Sequence, residues 1–264
     1  MDGTGLQALA YVLAGFVSGV FSGGLGIGGA AVATPLVRLL GLSPYLAVGT
    51  PVPMILPSTI TGSLTYLRAA LVDKRAVLWT SPPAAAAAFG GAMSTRAVDG
   101  SVLMLFCAAV LLILSLRLLP RSGEPELKDG APAGTSRTFS SPLAFIALGA
   151  VTGFLSGLLG VGGGFLMVPV FIKVFGLPTK QALGTSLAVI ALTVLPNVVG
   201  HSVARNIDWT AALLLCLGVV PGARLGAILA IKAEERTLRR FMAVTLSIVA
   251  LTYAGSELMK ILDR

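Results

Sequence analysis

Apolar residues run along this chain in blocks of about 20 or more, the length a helix needs to cross a hydrocarbon core of about 30 Å. The first block, 6–40, is longer than the rest and is broken by glycines. Plainer blocks follow at 44–68, 76–95 and 101–119. The same order then returns: a long glycine-broken block at 142–177, and plainer ones at 179–204, 209–232 and 237–262. The pattern predicts an all-α polytopic membrane protein. Between the two series, PRSGEPELKDGAPAGTSRTFSS at 120–141 is rich in Pro, Gly, Ser and charge, and reads as an extramembrane linker.

The two series are copies of each other. GVFSGGLGIGGAAVATP at 19–35 matches GFLSGLLGVGGGFLMVP at 153–169, and each is followed by GLxxxxAxGT, at 41–50 and 176–185. An offset of 134 residues pairs Gly26, Gly28, Gly29 and Pro35 with Gly160, Gly162, Gly163 and Pro169. After one inserted residue, Gly49 and Thr50 pair with Gly184 and Thr185, Asp73 with Asp208, and Gly91 with Gly226. The repeat covers nearly the whole chain. It predicts one membrane domain made of a first repeat (1–119), the linker (120–141) and a second repeat (142–264). Asp73 and Asp208 stand just before a span in each copy, where a carboxylate caps a helix N-terminus.

Composition agrees: 55% of residues are hydrophobic and 11% charged, far below the roughly 25% charged of soluble domains. Mean hydropathy is +0.91. The net charge of +8 does not point to nucleic acid, because the Lys and Arg fall in the short connections that orient a membrane protein. Cys107 and Cys216 lie within apolar spans, with no C-x-x-C and no neighbouring His, and read as packing residues. The N-terminus lacks a basic n-region, so no cleaved signal peptide is expected.

The glycine-broken blocks are too long for one crossing and short for two. If each crosses once, the copies run parallel and the basic residues divide ten against eight. If each dips in and returns, the copies are inverted. One side then holds Arg68, Lys74, Arg75, Arg117, Arg121, Lys128, Arg137, Lys173, Lys180, Lys232, Arg236, Arg239 and Arg240, and the other holds Arg38, Arg96, Arg205, Lys260 and Arg264. Thirteen against five obeys the positive-inside rule, and ten against eight does not. The reading adopted is inverted repeats, linker cytoplasmic, both termini outside.

Nine glycines recur every four residues: Gly15, Gly19 and Gly23; Gly149, Gly153 and Gly157; Gly218, Gly222 and Gly226. That spacing lets membrane helices approach closely. Gly26, Gly28 and Gly29, like Gly160, Gly162, Gly163 and Gly164, are too dense for a stable helix. A break there is either a plain kink or a freed helix N-terminus whose amides and partial positive charge suit a small anion. Nearby hydroxyls are Ser22, Thr34 and Thr50 in the first copy and Ser156, Thr185 and Ser186 in the second. Each either donates to an oxyanion or bonds its own preceding turn. Asn197 and His201 share a helix face near a span end, as an interfacial pair or a proton-coupling pair. Arg224, the one basic residue inside a span, either faces the cavity as counter-charge or snorkels to the cytoplasmic edge.

No Asp or Glu lies well inside a span, which argues against a carboxylate proton relay. There is no His/Cys metal cluster, HExxH, P-loop or GxSxG, so no cofactor, metal or enzymatic activity is expected. The paired strings GVFSGGLGIGGAAVATP…AVGT and GFLSGLLGVGGGFLMVP…ALGTS resemble the TauE/SafE family over almost the full chain. The resemblance implies an inner-membrane permease for sulfite, sulfoacetate or related organosulfur anions. It also implies binding at Gly26, Gly28, Gly29, Thr50, Gly160, Gly162, Gly163, Thr185 and Ser186. The first copy departs from the pattern, with Ala30 for Gly164 and Pro51 for Ser186, so the second should carry more of the binding. A carrier with partners limited to a small anion and the bilayer is the leading expectation; a homodimer is left open. An anion channel of the same architecture, or an intramembrane hydrolase using His201, are the alternatives.

Overall fold

The computed structural model describes residues 3–99 and 141–262, with scattered helical positions between 102 and 113. Most of the span at 101–119, the linker 120–140 and Cys107 lie outside the described residues. Among the described residues every regular element is helical, apart from turns. The first copy forms α1 (Gly3–Leu25), α2 (Ala30–Leu39), α3 (Pro44–Gly49), α4 (Val52–Arg68) and α5 (Lys74–Ser94). The second forms α6 (Pro142–Leu159), α7 (Gly164–Lys173), α8 (Thr179–Val203), α9 (Trp209–Lys232) and α10 (Glu235–Leu262). Four of these, α1, α6, α8 and α9, are long and apolar enough to cross a membrane. Their outward faces expose leucines such as Leu143 (71%) and Leu217 (68%), a surface that lipid covers and water does not.

The block at 44–68 is one rod with an interruption, where the equivalent α8 is continuous. Pro51 and Pro53 lack the amides that would bond the previous turn, so α3 and α4 separate at Thr50–Pro51. Thr50 and Pro51 both keep right-handed helical dihedrals. Asp73 and Asp208 cap α5 and α9: Asp73 Oδ1 accepts from the Arg75 and Ala76 amides at 2.9 and 3.1 Å, Asp208 Oδ1 from the Thr210 and Ala211 amides at 3.0 and 3.1 Å.

Glycine stripes decide which helices touch. A Cβ on Gly15, Gly19 or Gly23 of α1 would overlap the carbonyl of Leu215, Val219 or Ala223 of α9. The numbers rise together, so α1 and α9 run parallel with their backbones in contact. In the same way Gly149, Gly153 and Gly157 of α6 press on the carbonyls of Thr80, Ala84 and Ala88 of α5. Gly218, Gly222 and Gly226 return the contact from α9 to α1. All nine glycines therefore do the close packing their spacing announces. Between these pairs lie α4 and α8. Gly184 meets Tyr66 and Gly62 meets Leu187, so as one number falls the other rises and the two helices are antiparallel.

Candidate functional site

The chain leaves α1 at Leu25 and re-enters a helix at Ala30; between them Gly28 and Gly29 hold φ of 83° and 80°. The second copy does the same between Leu159 and Gly164, where Gly162 and Gly163 hold φ of 96° and 70°. Gly26 and Gly160 are also left-handed, at 68° and 62°. These dihedrals strain any L side chain, which is why both copies spend glycine here. The two breaks meet: a Cβ on Gly28 would lie 3.5 Å from the Gly162 Cα, and the reverse distance is also 3.5 Å. Gly164, the first residue of α7, packs against the Gly26 carbonyl.

Each break is folded back beside the helix it leaves. A Cβ on Gly29 would stand 2.8 Å from the Ser18 carbonyl and 3.0 Å from the Ser22 Cβ. At Gly163 the corresponding neighbours are Ser156 Cβ at 3.2 Å and the Thr152 carbonyl at 3.4 Å. The first turns of α2 and α7 therefore start beside buried hydroxyls, although Gly164 N already donates to Gly162 O at 2.8 Å, and Val32 N and Leu166 N donate to the Gly29 and Gly163 carbonyls at 3.1 and 3.2 Å. Ser22 and Ser58 hydrogen-bond to each other there, and Ser18 Oγ, fully buried, has no partner. Thr193, equivalent to Ser58, turns its hydroxyl to Ile190 O at 3.2 Å, and Thr34 bonds Ala30 O at 2.9 Å. The junction carries polar donors and no carboxylate among its described residues, a combination that suits a small anion.

The GT motifs tie the copies together by exchange. The Asp73 amide donates to Thr185 Oγ1 at 2.9 Å, and the Asp208 amide donates to Thr50 Oγ1 at 3.0 Å. Both threonines are fully buried, and each keeps its hydroxyl hydrogen while accepting. Gly49 packs on the Asn206 carbonyl and Gly184 on the Leu71 carbonyl, again with copies swapped. Ser186 differs. Its Oγ donates to the Gly26 carbonyl at 2.9 Å, so its one hydrogen is engaged in joining α8 to the first break. That corrects the expectation of a free donor at Ser186.

Two further placements differ from expectation. His201 is fully buried rather than interfacial: Nε2 donates to the Gly157 carbonyl at 2.8 Å, and Nδ1 lies 3.5 Å from Asn206 Nδ2. A carbonyl only accepts, so Nε2 carries a hydrogen. In the first copy the equivalent position is Tyr66, whose hydroxyl donates to the equivalent carbonyl, Gly23 O, at 3.1 Å. Arg224 is exposed on the face of α9 opposite buried Gly222 and Gly226, so the structure does not bring it to the junction. Its position fits snorkelling. Asn197 is 2% exposed, and its Oδ1 has no hydrogen-bond partner. Ser18, Ser58 and Tyr66 escaped the sequence reading. For Tyr66 the signal was present, since the repeat offset places it on His201.

Among the described residues no group of three or more His, Cys, Asp or Glu could hold a metal. The pattern of the family described as sulfite exporter TauE/SafE matches residues 11–253. "Probable membrane transporter protein YunE" of Bacillus subtilis is 27% identical over 92% of this chain and 97% of its own length. A second protein of that organism, "Probable membrane transporter protein YjnA", is 28% identical over 90% of this chain and 96% of its own. A "Probable membrane transporter protein" of Xylella fastidiosa is 27% identical over 90% of both. No solved structure matches. With broken helices, an apolar exterior and these relatives, the chain belongs to the TauE/SafE family of membrane transporters.

Proposed function

We propose that this protein is a secondary transporter that exports a small sulfur oxyanion, sulfite or an organosulfonate such as sulfoacetate, across the inner membrane. Two inverted repeats alternate access to a site at the meeting of their glycine breaks. The observation that carries the reading is the contact of Gly28 with Gly162, which puts two half-helix N-termini at one point. The amides at Gly28–Gly29 and Gly162–Gly163 and the hydroxyls of Thr50 and Thr185 supply donors without a fixed charge, so binding stays weak enough for release; the Gly26 and Gly164 amides are engaged, with Ser22 O and Gly162 O.

Inversion is supported by helix direction. Equivalent helices α4 and α8 run antiparallel, as a two-fold axis in the membrane plane requires, while an axis along the membrane normal would leave them parallel. The thirteen-to-five division of basic residues agrees. Substrate class and direction rest on the family description. The exchanged Thr50–Asp208 and Thr185–Asp73 bonds join the copies at two places, and alternating access requires them to open in turn. In an inverted arrangement these lie toward opposite faces. The test is a thermal-shift panel of sulfite, thiosulfate, sulfoacetate, taurine and short carboxylates on purified protein. Stabilisation by the sulfur oxyanions above the carboxylates is expected, since a ligand bound only by the folded state raises its melting point. No shift from any of the sulfur compounds contradicts the proposal.

A further inference from the structure

On the outer side of α4, α5 and α8 lies an open groove of about 430 Å³. Its walls are Leu67 of α4, Leu78 and Pro82 of α5, and Ala188 and Leu192 of α8, with Lys74 at its rim. The two serines in the lining do not make it polar. Ser81 Oγ donates to Val77 O at 2.7 Å and Ser63 Oγ to Ile60 O at 3.2 Å, each within its own helix. A hydrated anion finds no donor along such a wall, whereas a hydrocarbon chain does not need one.

We propose that this groove binds one acyl chain of an anionic phospholipid, with the Lys74 ammonium on the lipid phosphate. Lys74 is exposed, and among the described residues it forms no ion pair. It also opens α5, where the helix dipole disfavours a cation; an anion beside it satisfies ammonium and dipole together. The neighbouring Asp73 carboxylate already accepts the Arg75 and Ala76 amides with Oδ1 as the cap.

In the repeat-related place, Pro53 and Leu56 stand for Ala188 and Ala191, and Trp209 stands for Lys74. The α8 wall is the lower one here, while on the α4 and α5 walls Leu67 and Val77 give the groove more apolar surface than Ser202 and Ala212 give its counterpart. The inference rests on the chain spanning a membrane, and not on which anion it carries.

The experiment is native mass spectrometry of the full chain, released from a mild detergent after equilibration with equal amounts of phosphatidylglycerol and phosphatidylcholine. One retained lipid enriched about fivefold in phosphatidylglycerol is expected, the factor one lysine supplies near an anionic headgroup. Lys74→Glu, at an exposed position that leaves the fold intact, should bring the two lipids to equal retention. Ala188→Phe should remove the retained lipid altogether. Equal retention of both lipids by the unaltered protein overturns the proposal, as does unchanged retention in Lys74→Glu. Displacement of the lipid by sulfite also overturns it, by assigning the groove to the transport path.

Discussion

Thr50 and Thr185 each accept a backbone amide from the opposite copy, at 3.0 and 2.9 Å, from a fully buried position. Thr185→Val preserves shape and removes the acceptor, stranding the Asp73 amide. It should destabilise the protein by about 1–3 kcal/mol in denaturant unfolding, while Thr185→Ser stays close to the parent. An equal loss in both variants would show that packing, not the bond, matters. His201 and Tyr66 do one job in two chemistries, donating to the Gly157 and Gly23 carbonyls. His201→Phe and Tyr66→Phe should therefore each cost about 0.5–1.5 kcal/mol in the same assay. Neither should alter the pH dependence of transport; a changed profile in His201→Phe alone would make that residue part of proton coupling. The residue scale was half legible in the sequence. Glycines demanded by positive φ announce themselves by density, and the Asp caps by position. The direction of a hydroxyl does not: Ser186 looked like a free donor because no sequence shows that the Gly26 carbonyl lies in front of it.

Helix pairing rests on small residues whose carbonyl contacts leave no room for a methyl group. Gly19→Ala and Gly153→Ala should each abolish a monodisperse folded peak in detergent chromatography, because the added Cβ meets the Val219 or Ala84 carbonyl. Gly90→Ala is the contrast. Nothing lies within 4 Å of its Cβ, and Ala for Gly on an exposed helix face gains up to about 1 kcal/mol. A folded, unperturbed Gly153→Ala would refute the close approach of α5 and α6. The four-residue spacing made the approach legible but not the partner. A stripe on α1 says that some backbone comes close, and only the fold shows that it is α9, from the other copy. The proline break between α3 and α4 was equally available, since Pro51 and Pro53 sit in a span whose counterpart carries Ser186 and Ala188.

For the whole molecule, the repeat offset and the distribution of basic residues carried the architecture further than any single motif. Duplication fixed the equivalences, and contacts exchanged between the copies follow them: Thr50 with Asp208 against Thr185 with Asp73. The charge division favours the inversion we propose, and the antiparallel course of α4 and α8 agrees with it. Single cysteines placed near residue 130 and near each terminus should label from opposite sides of the membrane, linker inside and termini outside. Labelling of all three from one side would contradict the inversion. What sequence could not supply was the meeting point, because Gly28 and Gly162 are 134 positions apart and only folding joins them. The most direct measurement of the central claim is counterflow in proteoliposomes. Vesicles loaded with unlabelled sulfite should transiently accumulate labelled sulfite against its gradient. Flux without counterflow, accompanied by unitary currents, would contradict the carrier.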